Sequence, residues 1–237
     1  MAKTVTLTTA DGDMGLYDVE PEGAARGAVV VVQEAFGVNP YIEDVTRRFG
    51  AEGYRAVAPH LFHRTGDPVL GYRDVDKIMT HFAALSEPGV VGDIDASLAY
   101  LGDAGFPAAR VGVVGFCMGG TVAFLVSVRR PVGAGVTFYG GGIAQGRLGM
   151  PSQLDMVAEL QAPWLGLYGD EDQGIPVTEV EALRARSAAA GVDTEIVRYP
   201  GAGHGFHCDM RPDYHKASAT DAWRRTLAWF DRYLPPA

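Results

Sequence analysis

Val111-Gly-Val-Val-Gly115-Phe-Cys117-Met-Gly119-Gly120 joins an apolar, β-branched run to a helix-forming one through the pattern Gly-x-Cys-x-Gly. A strand that turns into a helix at a single residue forces that residue into a strained backbone conformation. Glycines two positions to either side let strand and helix come close enough to hold it there. The stretch reads as a nucleophile elbow, with the Cys117 thiol presented at a sheet edge and at the N-terminus of the next helix, whose dipole favours a thiolate. An isolated cysteine is more often a small buried hydrophobe, and Cys208, which lacks any such setting, is read that way. Packing alone, however, does not require glycine at both offsets around Cys117.

The segments flanking the elbow repeat its strand-then-helix rhythm. Mostly continuous apolar runs at 28–32, 54–58, 111–114, 133–138, 164–168 and 194–198 predict strands covered on both faces. Amphipathic stretches at 41–52, 74–85, 91–101, 118–128, 177–190 and 217–234 predict the helices between them. The alternating runs 4–8 and 15–19 around Asp11-Gly12 predict an antiparallel hairpin at a sheet edge. The fold class expected is α/β, with a mostly parallel central sheet of about eight strands and helices on both faces. Residues 140–155 carry Gly140, Gly141, Gly142, Gly146, Gly149 and Pro151 and predict a long loop over the top of the sheet. No repeat or linker is visible, so residues 1–237 are expected to form a single domain.

Composition narrows the function. Twenty Lys and Arg against 29 Asp and Glu leave a net charge of −9 without any block of like charges. That argues against a nucleic-acid or anionic-membrane surface and leaves a small molecule as the expected partner. Two cysteines cannot make a disulfide framework, which favours a reducing compartment. No run approaches the length of a membrane span, and Met1–Val5 has no apolar secretion core, so a soluble cytoplasmic location is the expectation. Oligomeric state is left open.

A nucleophile of this kind needs a base, and a hydrolase sheet supplies one from the loop after its last strand. Gly201-Ala-Gly203-His204-Gly205-Phe206 places His204 there. His60, His63, His81, His207 and His215 lack this placement, although His207 lies near enough to shape a pocket. The orienting acid should follow the preceding strand, where Asp170, Glu171 and Asp172 all stand. Nucleophile, acid, histidine is the chain order this fold requires.

The chain resembles the dienelactone hydrolase family, the carboxymethylenebutenolidases of the α/β-hydrolase superfamily, over nearly its whole length. The matching pieces are Gln33-Glu34-Ala35-Phe36-Gly37-Val38-Asn39, Ala58-Pro59-His60-Leu61-Phe62, Gly92-Asp93, Gly115-Phe116-Cys117-Met118-Gly119-Gly120, Tyr139-Gly140, Gly169-x-x-Asp172 and Gly203-His204-Gly205-Phe206. The resemblance implies ester or lactone hydrolysis by a Cys117–His204–Asp172 triad through a thioester, without cofactor or metal. It gives Glu34 the role of contacting the thiol and accepting its proton when substrate enters; a buried carboxylate suits this because desolvation raises its pKa. The competing reading of Glu34 is a cap for the helix near Tyr41. The main-chain amides of Ala35 and Met118 would form the oxyanion hole, and Phe36, Tyr139 and Phe206 would line the pocket. Relatives hold a substrate carboxylate with two arginines, but Cys208 stands where the second is expected. Arg73, Lys77 and Arg211 are the remaining candidates.

Three other readings compete. His204-x-x-His207-Cys208-Asp209 and His60-x-x-His63 contain metal-ligand side chains, but neither pair has the helix or ribbon setting of a specific zinc motif. A non-catalytic receptor could use the same fold, although nucleophile, acid and base are all retained. A thioesterase or small-amide hydrolase could use the same residues.

Overall fold

The computed structural model describes residues 1–234. Strands β1 (Ala2–Thr9) and β2 (Gly12–Val19) form the antiparallel hairpin, followed by β3 (Ala28–Val32), helix α1 (Pro40–Ala51), β4 (Arg55–Pro59), α2 (Val75–Phe82) and α3 (Glu87–Asp103). Then come β5 (Val111–Phe116), α4 (Met118–Arg129), β6 (Ala134–Phe138), the single turn α5 (Gln153–Met156), β7 (Trp164–Gly169), α6 (Val177–Ser187), β8 (Thr194–Tyr199) and α7 (Lys216–Tyr233). One eight-stranded sheet runs in the order β1-β2-β4-β3-β5-β6-β7-β8. Pairing is parallel from β4 through β8, and β2 joins β4 antiparallel.

The burial of each strand follows its sequence. Every residue of β3, β5, β6 and β7 is buried, as expected where helices cover both faces, whereas β1 at the edge is mostly exposed. Two glycines of β5 show how the faces are divided. Three positions apart, Gly112 and Gly115 face opposite sides of the sheet. A Cβ on Gly112 would press into the Phe230 ring of α7, and one on Gly115 would overlap the Gly119 carbonyl of α4. Helix α1 joins α7 on the first face through Phe49 and Trp223, whose ring centroids lie 4.5 Å apart, while α3 touches α4 on the second.

Several predicted boundaries shift by three residues or more, among them the start of β2, at Gly12 rather than 15, and three helix ends. Helix α3 starts at Glu87 rather than at 91, because the Ser86 hydroxyl accepts from Gly89 N at 3.3 Å and Pro88 fits a first helical turn. Helices α2 and α6 stop three residues short of the predicted ends. The 140–155 stretch is a loop as far as Ser152, pinched by an isolated bridge between Arg147 and Met150. Its end coils into α5, where the Ser152 hydroxyl accepts from Asp155 N. Because β3 and β5 to β8 all run the same way, the segments that leave their carboxyl ends converge on one edge. Glu34, Cys117, Tyr139, Asp172 and His204 each lie just beyond one of these strands.

Candidate active site

The elbow has the strained backbone that the sequence demands. Cys117 sits at φ 55°, ψ −116°, in a region side chains rarely adopt, and its N–H donates to Phe138 O at 3.0 Å. A Cβ on Gly119 would overlap the carbonyls of Val32 and Gln33, so α4 can start where it does only because Gly119 and Gly115 are bare. The side chain of Gln33 is buried; its Oε1 accepts from Leu61 N at 3.0 Å, and its Nε2 donates to Glu34 O at 3.4 Å. This fixes the turn that carries Ala35. Neither the Ala35 nor the Met118 amide donates to a protein acceptor among the described residues, and such free N–H groups are what an oxyanion hole requires.

His204 and Asp172 meet as expected. His204 Nδ1 lies 2.6 Å from Asp172 Oδ2, and Asp172 Oδ1 accepts from Gly174 N at 2.8 Å, so the carboxylate is held from both sides. Asp170 is instead occupied by Arg198, at 2.7 and 2.9 Å, and Glu171 stands on the cavity wall. Burial disfavours the His204 imidazolium, but the Cys117 sulfur and the Asp172 carboxylate outweigh it. Together they raise its pKa to about 10.

Glu34 is wholly buried, and neither carboxylate oxygen has a hydrogen-bond partner. Burial raises its pKa, opposed by Arg211, whose Nη1 lies 3.8 Å from Oε1, and by His204 and Tyr139. The sulfur of Cys117 acts on His204, and no hydrogen bond joins it to Glu34 among the described residues. The capping alternative for Glu34 is ruled out: Asn39 caps α1, its Oδ1 accepting from Ile42 N at 3.1 Å. Beneath the site lies a polar layer that the sequence did not reveal. Tyr41 Oη lies 2.7 Å from His207 Nδ1, and Tyr72 Oη lies 3.3 Å from Cys208 Sγ. Burial holds His207 neutral, its pKa lowered to about 3, and pushes the Cys208 thiol up to about 11. His60 and His63 pair with Asp67 and Asp93, and no group of three or more metal-ligand side chains is placed to bind an ion among the described residues.

Above Cys117 lies a cavity of about 470 Å³ whose walls include Arg147, Arg211, Glu171, Asp172, His204 and Asp213. Of the candidate cations, Arg211 reaches it, lying over the rings of Phe36 and Tyr72 at 5.8 and 5.5 Å. Arg73 is exposed and lines no part of it, and Lys77 pairs with Asp74 at 2.9 Å. Arg147 was not anticipated; the one available signal was a lone cation in a Gly-rich loop leaving the active edge. Phe36, Tyr139 and Phe206, expected to line the pocket, are buried around it instead. Phe36 packs edge-on to Tyr72, Tyr139 backs the His204 ring at 5.1 Å, and Phe206 packs behind Tyr139 at 5.3 Å. All three are bulky aromatics that the core takes, Tyr139 with its hydroxyl buried and unpartnered among the described residues, and the cavity walls are left polar.

A sheet that delivers Cys117, Asp172 and His204 to one edge in that chain order has the arrangement of an α/β-hydrolase. Residues 14–234 match the dienelactone hydrolase family. The chain is 40% identical over 234 residues to a protein of Escherichia coli K12 described as "Putative carboxymethylenebutenolidase", covering 96% of this chain and 86% of that one. A Salmonella typhimurium protein of the same description is 38% identical, covering 98% and 87%. A solved structure described as "Putative Dienelactone Hydrolase from Klebsiella pneumoniae" superposes with a TM-score of 0.91 at 36% identity, covering 98% of this chain and 99% of that one. The chain belongs to the dienelactone hydrolase family and is a hydrolase of that kind.

Proposed function

We propose that this protein hydrolyses small esters or lactones with Cys117 as nucleophile. The observation that carries the reading is the strained Cys117 facing an imidazole whose far nitrogen is fixed by Asp172 at 2.6 Å. The Cys117 thiol gives its proton to His204 as its sulfur attacks the substrate carbonyl carbon, and the developing oxyanion accepts from the Ala35 and Met118 amides. As the tetrahedral adduct collapses, the carbon–oxygen bond to the alcohol breaks and His204 gives the leaving oxygen its proton. The acyl group remains on sulfur as a thioester. His204 then takes a proton from water, which attacks the thioester, and the thiol is released with the acid. Asp172 orients the ring and stabilises the imidazolium.

Glu34 is the second proton acceptor in this scheme. Its raised pKa and unpaired oxygens suit it to exchange a proton with the thiol once substrate displaces the present arrangement. Arg211 and Arg147 supply positive charge to the cavity and suit a substrate carrying a carboxylate, as the name carboxymethylenebutenolidase of the relatives denotes. Hydrolysis of p-nitrophenyl acetate and of a simple enol-lactone tests the reading. Cys117→Ala is expected to lower kcat at least about 10⁴-fold, and iodoacetamide to inactivate the native protein but not alter the variant's residual rate. Activity that survives in Cys117→Ala would reject the assignment.

A further inference from the structure

Helix α2 buries part of its apolar side and exposes the rest. Ile78, with Phe82 alongside, packs on Ala35, Phe36 and Leu70 over the turn that carries Ala35. Val75, Met79 and Ala83 recur at helical spacing along the exposed margin of that side, with Val75 60% and Met79 67% exposed. Folding does not account for this exposed stripe. Opposite it stands the loop Arg147–Leu148–Gly149, with Gly149 against the backbone of Leu85 and Ser86. Between helix and loop lies a groove of about 510 Å³ lined by Met79, Phe82, Ala83, Leu85 and Leu148. Arg147 stands on the walls of both this groove and the cavity above Cys117, so the two adjoin at this residue.

Leu148, at φ 58° in a left-handed conformation that disfavours leucine, packs partly on the main core and presents the rest of its side chain to the groove. The Arg147 guanidinium has no hydrogen-bond or salt-bridge partner among the described residues, so its charge is available to an anion. We propose that the groove is a specificity subsite for the aliphatic or aryl substituent of the substrate, which is therefore an amphiphilic ester or lactone. Its reacting carbonyl sits at Cys117 and its apolar arm runs past Arg147 into the groove between α2 and the 147–149 loop. A small amphiphile fits the feature better than a second protein copy, since the volume is that of a small-ligand cleft and the stripe is far smaller than a stable interface. The inference rests on the esterase reading for its turnover test but not for its binding test.

p-Nitrophenyl acetate, butyrate, hexanoate and octanoate form the test series. In the native protein kcat/KM is expected to rise about threefold per added methylene until the groove is filled. Met79→Asp changes an exposed helical side chain, and Leu148→Asn suits the left-handed backbone, so both variants should fold. Each is expected to lower the octanoate-to-acetate ratio of kcat/KM about tenfold, the effect of losing one apolar contact surface. Calorimetric binding of octanoate against acetate supplies a readout independent of catalysis: octanoate should bind more tightly, and each variant should narrow the difference about tenfold. A flat chain-length profile with intact acetate turnover overturns the subsite and leaves the esterase reading in place. If no ester is cleaved, the calorimetry decides the subsite while the esterase reading falls. A dimer that Met79→Asp dissociates, with no preference for octanoate, identifies the groove as an interface between copies and also overturns the proposal.

Discussion

The backbone of Cys117 stores strain of about 1–3 kcal/mol, the usual cost of a non-glycine residue held in such a conformation, and that strain points its sulfur at His204. The imidazole responds: its pKa of about 10 lies well above the ordinary histidine value, with the sulfur first among the influences that overcome burial. The sign of the linkage follows. A raised folded-state value adds stability that is complete below about pH 6.5, the value in the unfolded chain. That stability fades as pH climbs through about 10. An NMR titration of the His204 ring is expected to show a midpoint near 10 in the native protein and a lower one in Cys117→Ala, where Asp172 still favours the imidazolium. Equal midpoints in the two proteins would mean that the sulfur does not act on the ring. The cysteine and the histidine were legible because this fold sets the chain order of its triad, whereas chain order left Asp170, Glu171 and Asp172 open and only the family motif selected Asp172. Arg147 was not legible, since the path of its loop depends on left-handed turns at Gly142, Leu148 and Gly149 that no periodicity records.

At the level of elements, the elbow is a packing solution before it is a chemical one. Helix α4 is buried along nearly its full length and begins directly against the backbone of Val32 and Gln33 at Gly119. Gly119→Ala would push α4 away from β3, a backbone displacement rather than a rotamer change. It is expected to cost at least about 3 kcal/mol, the upper end for overpacked cores, read as a lowered urea midpoint, and to abolish ester turnover in whatever protein folds. A stable, active Gly119→Ala protein would show that the elbow has room to spare. The strands were readable because burial on both faces leaves continuous apolar runs, and the hairpin because one-sided exposure leaves alternation. Boundaries were harder where one residue type has two uses. Pro88 and Gly89 resemble helix breakers, yet at α3 the proline occupies the first turn and the glycine N–H receives the Ser86 cap.

For the molecule as a whole, the sheet face covered by α1 and α7 meets the active edge at His207, which the sequence placed only near the pocket and which the proposed chemistry does not use. Its Nδ1 is paired with Tyr41 of α1, and its ring lies 5.4 Å from Phe116, 5.0 Å from Phe138 and 6.0 Å from Trp223 of α7. No local pattern exposes such a role, because the Tyr41 and His207 positions are 166 residues apart. Charging this ring would place a cation among aromatic side chains, with Arg48 adding repulsion and only Asp209 opposing it. The folded protein therefore refuses a proton until about pH 3, whereas the unfolded chain takes one near 6.5. Stability is thus unaffected by this group above about pH 6.5 and falls steadily below it, by about 1.4 kcal/mol per pH unit while only the unfolded state is protonated. Carboxylates also titrate in this window, so the comparison must be differential. Urea unfolding of the native protein and of His207→Gln at intervals between pH 8 and pH 4 isolates the term. The variant is expected to be less stable at pH 8, having lost packing, but to lose less stability on acidification, so that the two curves converge as pH falls. Parallel curves would show that His207 accepts its proton inside the fold, and that acid lability resides in the carboxylates alone.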